Sequence, residues 1–537
     1  MAPTVQMRVE ADRTTGPFRP IWNWFGYDEP NYTTMPHGRR LLADLAALHG
    51  GPVHVRAHNL LTSGDGTAAL KWGSTGAYAE DADGRPVYSW TILDGIFDAY
   101  VAAGVVPFVQ VGFMPEALST GPEPYRHDFP RTAITTGWAY PPKDYGRFAD
   151  LVEAWVAHLR DRYGAGLVRG WPFEVWNEPD GLYWRGTIPE FCRLFDETAA
   201  AIRRALPGAR VGGPHTCGPL SAKAAAFLRA FLEHCARGTN YASGATGTGL
   251  DFIAFHAKGK PTLVDRHVRM GLANQLNNIA LGLEIVAAFP EFAGLPVILG
   301  ESDPEGCAAC STRTHPENAY RDGALYGASV VEATARTYQL AERAGRAIEG
   351  AVTWAFEFEG EPFFAGYREL ATNGIAKPVL NAFRMLGRLG GERLAAVSSG
   401  ALALDRILAE GVAAAPDIAL IATRDGGAIA VLLWNYHDDN LPGEGAANVE
   451  LAVAGLGARR FTCRHHRMDG GHSNAHSAWL AMGGPQPPSP EQYARLETAS
   501  RLEMLGEPET VTAVDGEVRL AFPLPRHAVS LISLTPA

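Results

Sequence analysis

The chain has 537 residues, 46 % of them hydrophobic and 20 % charged, with a formal charge of -11 at neutral pH. This is ordinary globular composition, with room for one large domain and a smaller one, or for three average ones. The acidic balance and the lack of basic runs argue against nucleic acid and against an anionic membrane surface as partners.

Met1–Pro20 is polar, with Arg8, Glu10, Asp12 and Arg13 and no apolar h-region. No secretory signal is expected there, and a cytoplasmic location is the corresponding expectation. No window approaches the ~18 uninterrupted apolar residues of a membrane span. Val5, Met7 and Val9 alternate with Gln6 and Arg8, which predicts a short strand added to the edge of a later sheet. From residue 21 to 390 short apolar runs alternate with amphipathic ones. The predicted strands are Pro20–Phe25, Pro52–His58, Val105–Val111, Trp171–Trp176, Ala209–Gly213, Asp251–His256, Pro296–Glu301 and Gly350–Ala355. The predicted helices are His37–Leu48, Ile92–Ala103, Asp144–Tyr163, Pro189–Ala205, Ala222–His234, Asn274–Phe289, Tyr320–Ala344 and Val379–Leu389. In Asp144–Tyr163, Phe148, Leu151, Val152, Trp155 and Leu159 share one helical face. Strict alternation implies an α/β fold with a parallel sheet, here a (β/α)8 TIM barrel enlarged by loop insertions.

After Gly390 helical periodicity fades. Ile418–Thr423, Ala428–Tyr436, Val449–Val453, Arg460–His465, Val518–Phe522 and Val529–Leu534 read as strands of a C-terminal antiparallel β-sandwich. Gly470–Gln492 is rich in Gly, Ser, Pro and His and reads as a long loop. The expected division is an N-terminal segment 1–20, a barrel 21–390 and a sandwich 391–537. Six cysteines do not make a disulfide scaffold in a chain of this length. Cys307 and Cys310 form a C-x-x-C without a second pair at metal spacing, so a reduced loop or one local disulfide is expected, with no metal and no cofactor. Cys192, Cys217, Cys235 and Cys463 stand alone.

Trp171–Asp180, W-P-F-E-V-W-N-E-P-D, carries the strongest chemical signal. Phe173, Val175 and Trp176 suit a buried strand, and Pro179 cannot continue it because it lacks an N–H for the ladder. Glu178 therefore stands at the carboxyl end of the fourth strand, with Asn177 beside it and Trp176 and Trp184 nearby, in surroundings suited to a raised pKa and a general acid. Such a glutamate can equally be a loop cap. His58, His256, Glu301 and Trp354 lie at the ends of strands two, six, seven and eight. A lone strand-end histidine is usually structural, but five such residues converge on the rim where barrel active sites are built. Strands four and seven put Glu178 and Glu301 across one mouth, and a facing pair of carboxyls is the apparatus of glycoside hydrolysis.

The ordered motifs V-R-A-H-N-L-L at 55–61, P-F-V-Q-V-G-F-M-P at 107–115, P-P-K-D-Y at 141–145, F-E-V-W-N-E-P-D at 173–180, V-G-G-P at 211–214, D-F-I-A-F-H at 251–256 and N-G-I-A-K-P-V-L-N-A-F at 373–383 resemble glycoside hydrolase family 39. That is the family of β-xylosidases and α-L-iduronidases. The resemblance implies a small carbohydrate substrate, with Glu178 as acid/base and Glu301 as nucleophile. It also implies that His58, Asn177, His256 and Trp354 line the sugar subsite, with Trp184 near it and Glu361 on a sugar hydroxyl. The chain departs from the β-xylosidase pattern in H-A-K-G after strand six and G-E-S-D-P around Glu301, which resemble the iduronidase side. Lys258 then either meets a sugar carboxylate or pairs with an acid such as Asp303 or Glu305. The resemblance implies an exo-acting retaining β-xylosidase, with α-L-arabinosides as further substrates. The alternatives are an α-L-iduronidase-like hydrolase and, from another class, a non-catalytic carbohydrate-binding protein. The sequence leaves homo-oligomer formation open.

Overall fold

A computed structural model describes residues 2–70, 75–121, 138–441, 445–457 and 460–537. Eight parallel strands close into a barrel: Trp24–Tyr27, His54–Ala57, Val106–Val111, Pro172–Val175, Arg210–Thr216, Phe252–Lys258, Val297–Asp303 and Ile348–Trp354. Each neighbours the next, and the eighth returns to the first through Val352–Trp24, Thr353–Phe25 and Trp354–Gly26. Every strand overlaps its expected run. The boundaries move because the inward residues continue the ladder past the apolar text, so that strand seven runs on through Glu301 to Asp303. At Gly26 a Cβ would fall 2.4 Å from the Trp354 ring, so the close first–eighth strand approach depends on this glycine.

The intervening helices present amphipathic faces to the barrel. Tyr145–Tyr163 starts where the Asp144 side chain accepts from the Gly146 and Arg147 N–H groups, and it buries Phe148, Leu151, Val152, Trp155, Val156 and Leu159. Ile188–Ala205 opens on a Thr187–Glu190 capping box. The long segment expected from Tyr320 divides into a 3-10 turn at Pro316–Asp322 and a helix at Ala324–Ala344, with Gly323 between them. Among the described residues no helix is long and apolar enough to cross a membrane.

Ten further strands form a separate sheet, and three two-stranded hairpins stand outside both. The sheet's two halves share one apolar cluster that includes Val5, Met7, Val9, Leu394, Val431, Leu433, Val449, Leu451, Phe461 and Ile532. The sheet is mixed rather than purely antiparallel. Thr4–Pro17 runs antiparallel to Glu392–Ser398 but parallel to Ala447–Ala454. It lies inside the sheet, not at the edge. A parallel neighbour needs a long crossover instead of a hairpin, and the whole barrel supplies that crossover. Gly470–Gln492 is not one loop either. Asn474 caps a helix at Ala475–Ala481, and a Ser489–Gln492 capping box opens another at Pro490–Ala499. Cys307 and Cys310 are joined as a disulfide, which selects one of the two expected states.

Buried polar contacts tie the sheet to the barrel. Trp434 Nε1 donates to Glu332 at 2.5 Å, Arg336 bridges Glu332 at 2.7 Å, and the same guanidinium reaches Asp417. Partly exposed Arg269 pairs with Asp439 at 2.7 Å, joining the hairpin after strand six to the loop that follows Ala428–Tyr436. The N-terminal strand can be tested as a core element. Met7 is 2 % exposed, whereas the Arg8 side chain beside it is 46 % exposed. Met7→Ala should destabilise the protein by about 2–5 kcal/mol and Arg8→Ala by under about 0.5 kcal/mol. Denaturant midpoints measure both, and equal effects would remove the strand from the core.

Candidate active site

The barrel floor is set by Arg56, on strand two and fully buried. Its guanidinium donates to Glu174 Oε1 at 2.7 Å, to Asn177 Oδ1 at 2.9 Å, and to Gly300 O and Glu301 Oε1 at 3.2 Å each. It also sits 4.9 Å from the centre of the Trp354 ring. The second Glu174 oxygen lies 2.5 Å from His215 Nε2. A Cβ on Gly300 would fall 2.1 Å from His215 Nδ1, so the residue before Glu301 must be small. One buried cation thereby holds the ends of strands four and seven in place. Sequence reasoning did not single out Arg56, Glu174 or His215. The visible signal was a charge at an inward position of an apolar strand, in V-R-A and F-E-V.

Glu178 and Glu301 come together with His256. One oxygen of each carboxyl and one imidazole nitrogen all lie within 4.8 Å of one another. The Glu178 backbone has φ 41 and Trp176 has φ 70, left-handed conformations that cost of order 1–3 kcal/mol each for non-glycine residues. The surrounding structure imposes them: the Trp176 indole donates to Tyr183 O at 2.8 Å, and the Glu178 N–H donates to His215 O at 2.9 Å. His256 Nδ1 is 2.9 Å from Glu178 Oε1 and 3.8 Å from Glu301 Oε1. Burial lowers the His256 pKa to about 3, so its imidazole is neutral near neutral pH.

The two carboxyls have opposite electrostatics. Burial, and then the Glu301 charge, raise the Glu178 pKa to about 7, against the pull of Lys258, His58 and Cys217. Burial also works to raise Glu301, but the charges of Lys258 and then Arg56 outweigh it and hold that carboxyl well below the usual range. Lys258 Nζ lies 2.5 Å from Glu301 Oε2 and 2.7 Å from Asp303 Oδ2. Of the two expectations for Lys258, pairing with Asp303 is present, and the same ammonium also meets Glu301. Asp303 accepts the Trp354 N–H at 2.8 Å, and Glu305 is held by Arg321 and Arg368. Such a pair can keep one carboxyl protonated and its neighbour ionised at the same pH.

The other expected residues divide. His58 Nδ1 binds Asp28 at 2.9 Å, its Nε2 lies 3.9 Å from Glu301 Oε1, and its ring is 4.3 Å from that of Trp354. Asn177 is buried and serves Arg56. Trp184 is 5 % exposed, packs edge-on against Trp176 and Phe191, and donates its indole N–H to Thr187 O at 3.0 Å. These contacts place it in the wall behind Trp176. Half-buried Glu361 accepts from Tyr367 Oη at 3.0 Å, in the segment after strand eight. Glu357 in the same segment is buried and accepts the Gly374 N–H, and burial raises its pKa to about 8.

Comparison with known proteins places this geometry. A family model described as glycosyl hydrolases family 39 matches residues 5–516. A β-xylosidase of Geobacillus stearothermophilus is 27 % identical, over 90 % of this chain and 86 % of its own. An α-L-iduronidase of Canis lupus familiaris is 28 % identical, over 91 % of this chain and 72 % of its own. Among solved structures, a monomeric β-xylosidase from Caulobacter crescentus CB15 superposes with TM-score 0.76 at 25 % identity, covering 100 % of both chains. The match across nearly the whole chain, with the paired carboxyls in a barrel mouth, leads to one conclusion: the protein belongs to glycosyl hydrolases family 39 and is a glycosidase.

Proposed function

We propose that the protein is an exo-acting retaining β-xylosidase, also cleaving α-L-arabinosides, that works by double displacement. The observation that carries this reading is the Glu178–Glu301 pair, with carboxyl oxygens within 4.8 Å and protonation states driven apart. Retaining pairs stand at about 5–5.5 Å, whereas inverting pairs need about 6.5–9.5 Å to admit a water. Glu301, ionised beside Lys258 and Arg56, attacks the anomeric carbon. Glu178, protonated, gives its proton to the leaving oxygen, then as a base takes one from the water that releases the sugar. Xylose is the proposed sugar because the β-xylosidase relatives match over most of their length.

A uronic-acid reading draws support from Lys258, a cation in the pocket, and from the iduronidase relatives. The neutral sugar is favoured because Lys258 is already met by two carboxylates, Glu301 and Asp303.

Glu301→Ala should abolish turnover of every substrate. Glu178→Ala should be slow on poor leaving groups and recover with an activated one, and azide should then yield a glycosyl azide. Identical responses of the two variants to leaving group and azide would remove the role assignment.

The pH profile of kcat/KM follows from the same pair. Glu178 must be protonated, so activity should fall above about pH 7, tenfold per unit. Glu301 must be ionised, and its lowered pKa puts the acid limb below the ordinary carboxylate range of about 4. A profile that already falls on acidification from about pH 6 to about pH 5 would contradict this.

Lys258→Met should spare β-xyloside hydrolysis to within about tenfold at mildly acidic pH and move the acid limb upward, since Glu301 loses its nearest cation. A charge-assisted contact to a uronate is worth about 1.5–3 kcal/mol, roughly one to two decades in kcat/KM. Wild-type preference for the iduronide, lost in Lys258→Met with xyloside turnover intact, would replace the xylosidase reading by the uronic-acid one.

A further inference from the structure

The two helices carried by the accessory sheet reach the mouth of the barrel. Ala475–Ala481 and Pro490–Ala499 lie between Arg460–Met468 and Glu503–Met504, strands that pair with each other and could be joined by a short turn. Their buried apolar residues, Ala475 and Leu496, belong not to the sheet's cluster but to a small one with Phe364 and Ile375. Phe363, Trp479, Met482 and Tyr493 pack against it. Phe363, Phe364 and Ile375 come from residues 355–377, the connection between strand eight and the helix Pro378–Leu386. Such connections, at the carboxyl ends of the strands, build barrel active sites.

The connection leaves the rim at Trp354 and returns to it. Arg368 Nε donates to Trp354 O at 2.8 Å, and the same guanidinium meets Glu305 at 2.6 Å, among the charges behind Glu301. The base of this excursion is therefore fixed by the site itself. Its outer part is held from the insertion. Gln486, between the two helices, donates from Nε2 to Phe363 O at 2.5 Å, and its Oε1 accepts the Phe363 N–H at 3.0 Å. One side-chain amide thus takes both main-chain groups of one residue, as a neighbouring strand would. The Trp479 ring lies 5.3 Å from that of Phe364. Tyr493 Oη donates to Asn373 O at 2.9 Å, and the Asn373 side chain donates to Glu361 O and accepts the Gly360 N–H at 2.7 Å each. Half-buried Glu361 stands between these two anchors, and both end on the insertion.

We propose that the insertion is a clamp on the sugar pocket, with Gln486 as a positioning residue that holds the Gly360–Phe364 stretch in the conformation that receives substrate. The accessory sheet thereby contributes to substrate affinity and not to the chemical step. A sugar that binds only the clamped form has its apparent dissociation constant raised in proportion as that form is depopulated. Glu178 and Glu301 stand on other strands and make no contact with Gln486, so turnover of bound sugar is spared. The choice of assay substrate rests on the xyloside reading above.

The test is Gln486→Ala. Gln486 is exposed, so its truncation leaves no buried cavity, and the apolar cluster remains. KM for a nitrophenyl β-xyloside should rise about threefold to tenfold, with kcat within about twofold of wild type. Amide hydrogen exchange over residues 356–366 should quicken in the same variant. Gln486→Glu sets a carboxylate oxygen against Phe363 O and should raise KM at least as much. Met7→Ala weakens the sheet at a distance from the clamp and should leave both KM and the exchange of this segment unchanged. Unmoved exchange in both Gln486 variants overturns the proposal. So does faster exchange with an unmoved KM, a fall in kcat at constant KM, or an equal rise in KM for Met7→Ala. A wild type inactive on the xyloside would refute only the substrate reading, and KM would then be compared on an α-L-iduronide.

Discussion

The barrel mouth depends on one buried cation. Arg56 has no access to water, and a guanidinium in that position is tolerable only with its donors met. Glu174, Asn177, Gly300 O and Glu301 meet them, and these partners come from strands four and seven and their ends. The requirement to neutralise Arg56 thus fixes how far each of those strands reaches into the mouth. A shift of either strand by one residue would turn its inward groups to the other face. Arg56 would then be left without its partners, at a cost of several kcal/mol for an unpaired buried charge.

The same economy of charge separates the two carboxyls. Both are recessed, so burial raises both pKa values, and the neighbours decide the outcome. Glu301 touches Lys258 and Arg56, whereas Glu178 touches a neutral imidazole. Asp303, Glu305, Arg321 and Arg368 extend this pattern behind Glu301 as an alternating array of buried charges. The disulfide loop closes the back of the array. Carbonyls of Cys307, Ala308 and Cys310 all accept from Arg321, so the loop supplies dipoles where further side-chain charges would be excessive.

How much of this was legible in the sequence follows the range of each interaction. Strand and helix runs depend on local periodicity, and all eight barrel strands overlap their expected positions. Ser489-Pro-Glu-Gln was a readable capping box inside a stretch taken for a loop, because its Gly and Pro content masked a short helix start. The alternation of Val5, Met7 and Val9 announced a strand, but its neighbours lie some hundreds of residues away and nothing local names them. At the site, strand-end residues were visible because barrel topology says where strand ends go. The double engagement of Lys258 was not visible, since it depends on side-chain approach between separate strands.

The interior position of Thr4–Pro17 has a consequence for biosynthesis. The strand leaves the ribosome before the barrel, yet both of its partners, Glu392–Ser398 and Ala447–Ala454, are made after it. At about 5–20 residues per second it remains an unpaired strand for about 20 s at the fastest rate and for more than about a minute at the slowest. During that time Val5, Met7 and Val9 are exposed apolar residues next to open backbone donors and acceptors, a template for wrong pairing. The charges of Arg8, Glu10, Asp12 and Arg13 along this strand act as gatekeepers in that interval, keeping the nascent chain soluble until its late partners emerge.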